Sequence, residues 1–326
     1  MNRGVITGAV VGVLALATML LVVLSLRPAT TEPLPVAPYE IGAVAASGDT
    51  VWRWVGPTDC NADADVLQVE RSTGGEAWTT AAIPLANVYG ISFANAEDGV
   101  ATGTTRACAR GVAITRDGGR TWKSKKDNPV LLDAWYVGNT IWGIERLVGQ
   151  LQVGAYRVDT RQRVQPINRI KPIQPCDVAD GVPDHIAFWT ESTGLLYCEN
   201  DVISTRLMTR TTTAGRSFER LADNRPNFGL DGGGSVTDMD VSGNETVWLQ
   251  FAGDRDCDEG QLRISDSQGA VFDRLACPSE SVTINEVLDV AFSSKTDGVM
   301  LGLVDREPAM FVTDDGGATW SISTQG

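Results

Sequence analysis

The chain has 326 residues, 43% of them hydrophobic, and its 41 acidic and 27 basic side chains give a net charge of −14. This length can bury one sizeable core, and the acidic balance argues against nucleic acid as a partner and against charge-driven docking on anionic lipid. An acidic surface is consistent with solubility, with cationic partners or with metal ions.

An uncharged apolar run opens the chain, from Val5 to Leu26. As a helix it would reach ~33 Å, which spans a hydrocarbon core of ~30 Å, whereas the apolar part of a secretory leader usually has only ~7–15 residues. No small-residue cleavage site and no lipoprotein cysteine follow closely. We therefore predict a transmembrane signal anchor over residues 5–26, with a cleaved signal peptide as the alternative. Residues 1–4 would form a cytoplasmic stub, giving a single-pass protein of the cell membrane with an extracytoplasmic body.

Prolines dominate the segment after the apolar run. Pro28, Pro33, Pro35 and Pro38 fall within eleven residues, which predicts an extended, semi-rigid spacer over residues 27–40. A repeating pattern then continues to the end of the chain without a second boundary, so we assign residues 41–326 to one domain.

The six cysteines contain no C-x-x-C pair, and His185 is the only histidine, so a Cys/His zinc site has little support. An even number of cysteines in an exported chain indicates disulfides, and six allow 15 connectivities. We predict that neighbours in sequence pair: Cys60–Cys108, Cys176–Cys198 and Cys257–Cys277.

A strand pair recurs along the domain. The segment from Ile91 to Gly103 matches the segment from Val290 to Gly302 in its phenylalanine, its Asp-Gly-Val and its final glycine. Each copy is followed by a third strand, a turn and a fourth strand, and first strands are predicted near residues 43, 89, 132, 185, 238 and 288. Four strands per unit at this spacing are typical of a β-propeller blade. The predicted fold is an all-β, six-bladed β-propeller. A seven-bladed propeller remains an alternative if residues near Glu40 complete a strand elsewhere. A parallel β-helix is the main competing fold.

Two near-identical octapeptides, 115–122 and 313–320, occupy the turn between third and fourth strands. The threonine and aspartate can accept backbone N–H bonds, the fifth-position glycine permits a positive φ, and the final tryptophan packs on the neighbouring sheet. The structural positions are Thr115, Asp117, Gly119 and Trp122, and Thr313, Asp315, Gly317 and Trp320.

The Ser/Thr-x-Asp-x-Gly-x-Thr-Trp unit resembles the Asp-box, or BNR repeat, of sialidases, sortilin-type receptors and photosystem II assembly factors. The resemblance implies a propeller over residues 41–326, with the Asp-box as a structural hairpin remote from the binding face. A sialidase would also need three clamping arginines, a Tyr–Glu pair, an acidic aspartate and an Arg-Ile-Pro signature. That signature is missing from the first blade, which reads Tyr39-Glu-Ile-Gly-Ala-Val44.

Polar residues recur near the start of the predicted innermost strands. Counting three residues back from Phe93, Phe188 and Phe292 gives a glycine, a histidine and an aspartate, and the third repeat offers an aspartate one place out of register. If the ring closes, these side chains meet at the channel mouth, where such folds usually bind. We predict a site for a polar or cationic ligand, with solvated entrance residues as the alternative: Asp133, His185, Asp238, Asp240 and Asp289.

A loop of the first repeat has the oxygen-ligand spacing of a calcium loop at Asp59, Asn61, Asp63 and Glu70. An alanine replaces the glycine of the sharp turn and no helices flank it, which counts against calcium. No other cofactor is expected.

We predict a membrane-anchored, non-catalytic binding or scaffold module for a protein, peptide or glycan at the cell envelope. The alternatives are an exo-acting glycoside hydrolase of the sialidase type and an assembly or stability factor for an envelope complex.

Overall fold

The computed structural model of the chain describes residues 41–56, 60, 68–147, 150–168, 176, 182–200, 205–223, 230, 235–243, 246–252 and 257–323. The predicted stub, anchor and spacer (1–40) lie outside these ranges. In the part of the chain that is described, no helix has the length and apolar character needed to cross a bilayer.

The described residues form six antiparallel four-stranded sheets, each built from four strands that are consecutive in sequence. Blade 1 contains β1 (Ile41–Ser47), β2 (Thr50–Gly56), β3 (Gln68–Thr73) and β4 (Thr79–Ala82). Blade 2 contains β5 (Asn87–Phe93), β6 (Asp98–Thr104), β7 (Arg110–Arg116) and β8 (Lys123–Ser124). Blade 3 contains β9 (Leu131–Val137), β10 (Thr140–Leu147), β11 (Gln150–Val158) and β12 (Val164–Asn168).

The second half of the chain repeats this plan. Blade 4 contains β13 (Val182–Phe188), β14 (Gly194–Asn200), β15 (Thr205–Thr211) and β16 (Glu219–Asp223). Blade 5 contains β17 (Val236–Ser242), β18 (Thr246–Phe251), β19 (Gln261–Ser265) and β20 (Asp273–Arg274). A 3-10 helix (Pro278–Glu280) leads into blade 6, which contains β21 (Glu286–Phe292), β22 (Gly298–Val304), β23 (Glu307–Thr313) and β24 (Ser321–Ile322).

The first strand of each blade is the innermost one, and these strands contact one another in sequence order around an axis. The ring closes where β21 of the last blade packs on β1 of the first. Neither of these blades borrows a strand from the other end of the chain. The arrangement confirms the all-β, six-bladed propeller and not the seven-bladed alternative.

Aromatic side chains join the blades in alternate pairs. Tryptophans on second strands stack on phenylalanines that end the innermost strand of the next blade, with ring centroids 3.6–4.2 Å apart. The pairs are Trp52 with Phe93, Trp142 with Phe188, and Trp248 with Phe292. All three tryptophans are buried, so they belong to the hydrophobic core between adjacent blades.

The octapeptide turns are closed by side-chain hydrogen bonds. The Thr115 hydroxyl donates to Asp117 at 2.8 Å and accepts from the Gly119 N–H at 2.9 Å, while Asp117 accepts from the backbone and hydroxyl of Thr121. Gly119 has φ 82°, a conformation that strains any residue with a Cβ. The 313–320 turn repeats these bonds with Thr313, Asp315, Gly317 and Thr319.

These turns also receive bonds from the preceding blade. The indole N–H of Trp52 donates to the Gly118 carbonyl at 2.9 Å, and that of Trp248 donates to the Gly316 carbonyl at 3.1 Å. Trp122 and Trp320 are buried and meet Phe93 and Phe292 edge-on. The predicted structural role of the turn residues therefore agrees with their contacts.

Three disulfides are present, with the predicted pairing: Cys60–Cys108, Cys176–Cys198 and Cys257–Cys277. The first joins blade 1 to blade 2, and the second joins the segment before blade 4 to β14. The third joins the loop between β18 and β19 to the segment that follows β20. All six cysteines lie at one end of the propeller axis. We call this end the mouth face, since the innermost strands begin there and the loops between second and third strands lie there. The octapeptide turns lie at the opposite end, the turn face.

Candidate functional site

A cavity of about 710 Å³ lies on the propeller axis. Its lining includes residues from the innermost strands of all six blades, from their starts at the mouth face to their ends at the turn face. Its volume is within the ~300–1,000 Å³ range that is common for ligand pockets.

All five residues predicted for the channel mouth line this cavity: Asp133, His185, Asp238, Asp240 and Asp289. Their convergence has a local cause, because the innermost strands of blades 2 to 6 each contain a β-bulge near their start. A bulge places one extra residue opposite the partner strand and re-aims the side chains after it. The residues directly after the bulges are Gly90, Asp133, His185, Asp238 and Asp289.

The structure corrects one detail of the sequence analysis. Asp133 is not one place out of register, because the bulge in blade 3 falls at Leu132 and restores its equivalence to the other post-bulge residues. Asp240 lies two residues further along its strand and faces the cavity as well.

Carboxylates of this set bond the blades together. In four cases a side-chain oxygen of one innermost strand accepts the backbone N–H of the innermost strand in the next blade. These bonds run from Tyr136 to Ser92 (2.9 Å), from Ile186 to Asp133 (2.9 Å), from Phe292 to Asp240 (2.5 Å) and from Val44 to Asp289 (2.6 Å). The last of these crosses the seam where the ring closes.

The second oxygen of each aspartate is also engaged. Asp133, Asp240 and Asp289 each accept the backbone N–H of the residue that follows them, at 2.7–3.0 Å. Asp240 and Asp289 are only 6% and 8% exposed. These three carboxylates therefore hold the inner ring together, which limits what they can offer a ligand.

Burial dominates the electrostatics of this cluster. It raises the pKa of Asp133 to about 6, although His185 and the Ile186 N–H oppose the shift. It raises the pKa of Asp240 well above the usual value, with the nearby charge of Asp238 adding to the effect. Burial also raises the pKa of Asp289 well above the usual value, and the neighbouring Asp238 carboxyl adds to the effect.

His185 lies at the centre of the acidic groups. Burial lowers its pKa, but the charges of Asp184, Asp133 and Asp238 outweigh burial, so the net shift is upward. Its Nε2 lies 3.2 Å from the Val236 carbonyl in the next blade. The imidazole therefore bridges blades 4 and 5 and neutralises part of the acidic cluster when protonated.

We predict that the acid cluster makes the protein less stable as pH rises. A group with a folded pKa above its unfolded pKa contributes stability that is complete below the unfolded pKa and is lost as pH rises through the folded pKa. For Asp133 this window runs from its ordinary 3.8 to about 6. We expect the contribution of Asp133 to the unfolding free energy to be about 2 kcal/mol, because solvent reaches the 26% of its side chain that is exposed and weakens the effect of burial.

The measurement is urea unfolding of wild type and Asp133→Asn at a series of pH values from 4 to 8. Subtracting the two curves cancels the other titrating groups, and the difference should change between pH 4 and 6. Parallel curves across that window would contradict the assignment.

The sequence analysis missed several charged residues at the mouth. Arg110 and Arg146 line the cavity from blades 2 and 3, and Asp184 and Glu286 line it from blades 4 and 6. Tyr89 lies under Arg110, with the guanidinium 4.3 Å from the ring centroid. Tyr89 and Asp184 are themselves bulge residues, so recognition of the bulge would have found them.

The structure describes only one of the four residues predicted to bind calcium. Asp59, Asn61 and Asp63 lie outside the described residues, while Glu70 on β3 forms an ion pair with Arg53 at 2.5 Å. Within the described ranges, no group of three or more His, Cys, Asp or Glu side chains is placed to hold a metal ion.

Among the described residues, two arginines line the cavity, Arg110 and Arg146, whereas a sialidase would need three. A Tyr–Glu pair exists, since the Tyr156 hydroxyl donates to Glu145 at 2.8 Å, but neither residue is part of the cavity lining. Burial raises the pKa of the Tyr156 hydroxyl far above its usual value, which disfavours a nucleophilic phenolate.

The fold and the axial channel define a β-propeller with a candidate binding mouth. No protein-family profile and no curated protein sequence matches the chain. The SapL1 lectin in complex with alpha methyl fucoside is similar in structure, with a TM-score of 0.54, 8% identity and coverage of 88% of this chain and 97% of that chain.

Two further solved structures are similar to the chain. The fucose-specific lectin from Aleuria aurantia has a TM-score of 0.53, 8% identity and coverage of 86% of this chain and 93% of its own. YCF48 from Cyanidioschyzon merolae has a TM-score of 0.46, 14% identity and coverage of 90% and 87%. At such identities the likeness concerns the fold alone.

Proposed function

We propose that the protein is a membrane-anchored, extracytoplasmic propeller that binds a protein, peptide or glycan partner at its mouth face without catalysing a reaction. The observation that carries this proposal is the 710 Å³ axial cavity, with charged side chains of five blades converging at one end. A concave site with a few convergent polar groups is the usual form of a binding pocket.

The disulfides support both the location and the choice of face. Disulfides persist in oxidising compartments outside the cytoplasm, which agrees with export behind the apolar run at residues 5–26. All three lie on the mouth face, where they hold the surroundings of the cavity in place. The spacer at 27–40 would keep this face near the bilayer and raise the effective concentration of membrane-bound partners.

We also propose that the two octapeptide turns are Asp-box repeats. Their Thr–Asp–Thr hydrogen bonds and their position away from the mouth support a structural role for them. The two lectins with TM-scores above 0.5 are named as sugar-binding proteins, which gives a non-catalytic binding role a precedent on this architecture.

A hydrolase role has less support, because the Tyr156–Glu145 pair lies away from the cavity. An assembly or stability factor would use the same binding face, and it would differ in being absent from the finished complex.

The test is site-specific photocrosslinking of the full-length chain in intact cells. Benzoylphenylalanine is placed at Tyr89 or Thr237 on the mouth face and, as matched exposed controls, at Thr296 or Asp314 on the turn face. We expect the same adduct from both mouth positions and none from the controls. Protease treatment of the adduct separates a protein or peptide partner from a glycan.

Adducts from the turn face alone, or none from the mouth, would overturn the proposal. Membrane retention after an alkaline carbonate wash, with the propeller accessible to external protease, is the expected result for the anchor. Release of the protein by the wash would contradict the anchored form.

A further inference from the structure

The charged side chains at the mouth are divided by sign around the axis. The positive ones come from blades 2 and 3, as Arg110 at the start of β7 and Arg146 near the end of β10. The negative ones come from blades 4 and 6, as Asp184 and Glu286. In a closed ring of six blades, Glu286 of blade 6 lies across the axis from Arg146 of blade 3, whereas Asp184 belongs to blade 4, which adjoins blade 3. The exposed charged side chains of the mouth therefore form a positive half on blades 2 and 3 and a negative half on blades 4 and 6.

Two arginines define the positive half. Arg110 and Arg146 are exposed, and among the described residues neither forms an ion pair with a carboxylate. Four other arginines of the described chain are paired with acids (Arg53, Arg163, Arg206 and Arg210), whereas some, such as Arg161 and Arg216 on the turn face, form no ion pair with a described residue. In a chain with a net charge of −14, two guanidinium groups without an acidic partner at a cavity entrance are available to a ligand.

Space for a ligand lies beside the positive half. In blades 3 to 6 the post-bulge side chain is an aspartate or histidine, but in blade 2 it is Gly90. A Cβ added at Gly90 would lie in ordinary van der Waals contact with Thr102 Oγ1 at 3.5 Å and Asp133 Oδ1 at 3.8 Å, so the cavity here is wider by the side chain that glycine lacks. The adjoining wall is Tyr89, which is 39% exposed and carries Arg110 on its ring. This wall offers an apolar face next to the two guanidinium groups.

We infer that the mouth binds a peptide segment carrying charges of both signs, with its carboxylate on Arg110 and Arg146 and its basic group on Asp184 and Glu286. The inference rests on the proposed binding function and names the ligand class of that same site. Charge separation of this kind favours a peptide, because a neutral sugar would leave both sets of charges unpaired. A ligand whose charges all have the same sign would be repelled by one half of the mouth.

The test uses purified full-length protein in detergent and four blocked pentapeptides. One peptide carries a glutamate and a lysine at its ends, one carries two glutamates, one carries two lysines, and one is neutral. Calorimetric titration should show the mixed-charge peptide binding at least about tenfold more tightly than the other three.

Charge reversal provides the readout that a structural effect would not produce. Arg110→Glu with Arg146→Glu should lower affinity for the mixed peptide by about tenfold and make the dilysine peptide the preferred one. Asp184→Lys with Glu286→Lys should shift the preference to the diglutamate peptide instead. The matched control is Arg161→Glu with Arg216→Glu, which makes the same charge change in exposed turns of the turn face and should leave all affinities unchanged.

The inference fails if the mixed peptide binds no better than the neutral one, or if the control pair lowers affinity as much as the mouth pair. Mouth crosslinks that persist alongside such a result would leave the binding function standing and reject only the ligand class. If the crosslinked partner is a glycan and its capture survives Arg110→Glu with Arg146→Glu, the peptide is also rejected.

Discussion

Loss of the three disulfides is expected to unfold the propeller. The closed loops span 48, 22 and 20 residues. Restriction of the unfolded chain by loops of these lengths is worth about 4, 3.4 and 3.3 kcal/mol. Together this is about 11 kcal/mol, comparable with the ~5–15 kcal/mol that separates folded from unfolded domains.

The bonds should not be lost together. Cys108 is exposed and Cys60 half-buried, whereas each of the other two bonds contains at least one cysteine that is at most 3% exposed: Cys176 and Cys198 in one, and Cys257, whose partner Cys277 is half-buried, in the other. Mild reductant should therefore open the bond between blades 1 and 2 first, while the other two persist until the protein unfolds.

Denaturant unfolding of Cys60→Ser with Cys108→Ser checks the first value, and Cys257→Ser with Cys277→Ser is the matched comparison. Alkylation and mass spectrometry give the order of reduction. Unchanged unfolding free energies, or thiols of the buried pairs labelled before Cys108, would show that the bonds do not stabilise the fold in this way.

Asp289→Ala should be among the most damaging single substitutions of the inner ring. It removes the acceptor of the Val44 N–H at the seam and that of the Val290 N–H within the strand. A buried donor left without an acceptor costs about 1–3 kcal/mol, so we expect a loss of about 2–4 kcal/mol in unfolding free energy. The effect should be larger at pH 5 than at pH 8, because burial penalises the ionised form of this carboxyl in the native protein.

Asp184→Ala is the control for this substitution. Asp184 lines the same cavity, but its side chain is 49% exposed and its Oδ2 lies 3.7 Å from Nε2 of His185. Its removal should change the unfolding free energy by no more than about 0.5 kcal/mol. Equal losses from the two substitutions would mean that the seam bond is not what Asp289 contributes.

The fold could be predicted from the sequence because its signals are local. The octapeptides and the Phe…Asp-Gly-Val…Gly pattern occur in full in blades 2 and 6, and each copy marks one unit of four strands. The predicted starts of the innermost strands lie within three residues of those observed. The cysteine pairing followed from proximity in sequence, because each pair joins neighbouring segments of the same face.

The site was harder to predict. Counting back from the phenylalanines placed His185 and Asp289 correctly, since the strands have a constant length between the bulge and the aromatic residue. The same count misjudged Asp133, because blade 3 has no phenylalanine at that point and its bulge leaves no signature in the sequence. Arg110 and Arg146 were missed as a pair since they come from different strands of different blades, which only the closed ring brings to one entrance.

The sequence by itself determined the repeated blade, the turns that close it and the cysteine pairs, because each depends on residues close together in the chain. The tertiary structure decided what the inner aspartates do. Residues that the sequence offered as ligands accept backbone N–H groups of the neighbouring blade, including one 245 residues away across the seam. Which oxygens are engaged and which charges face the opening depends on ring closure, a long-range event that local patterns do not encode.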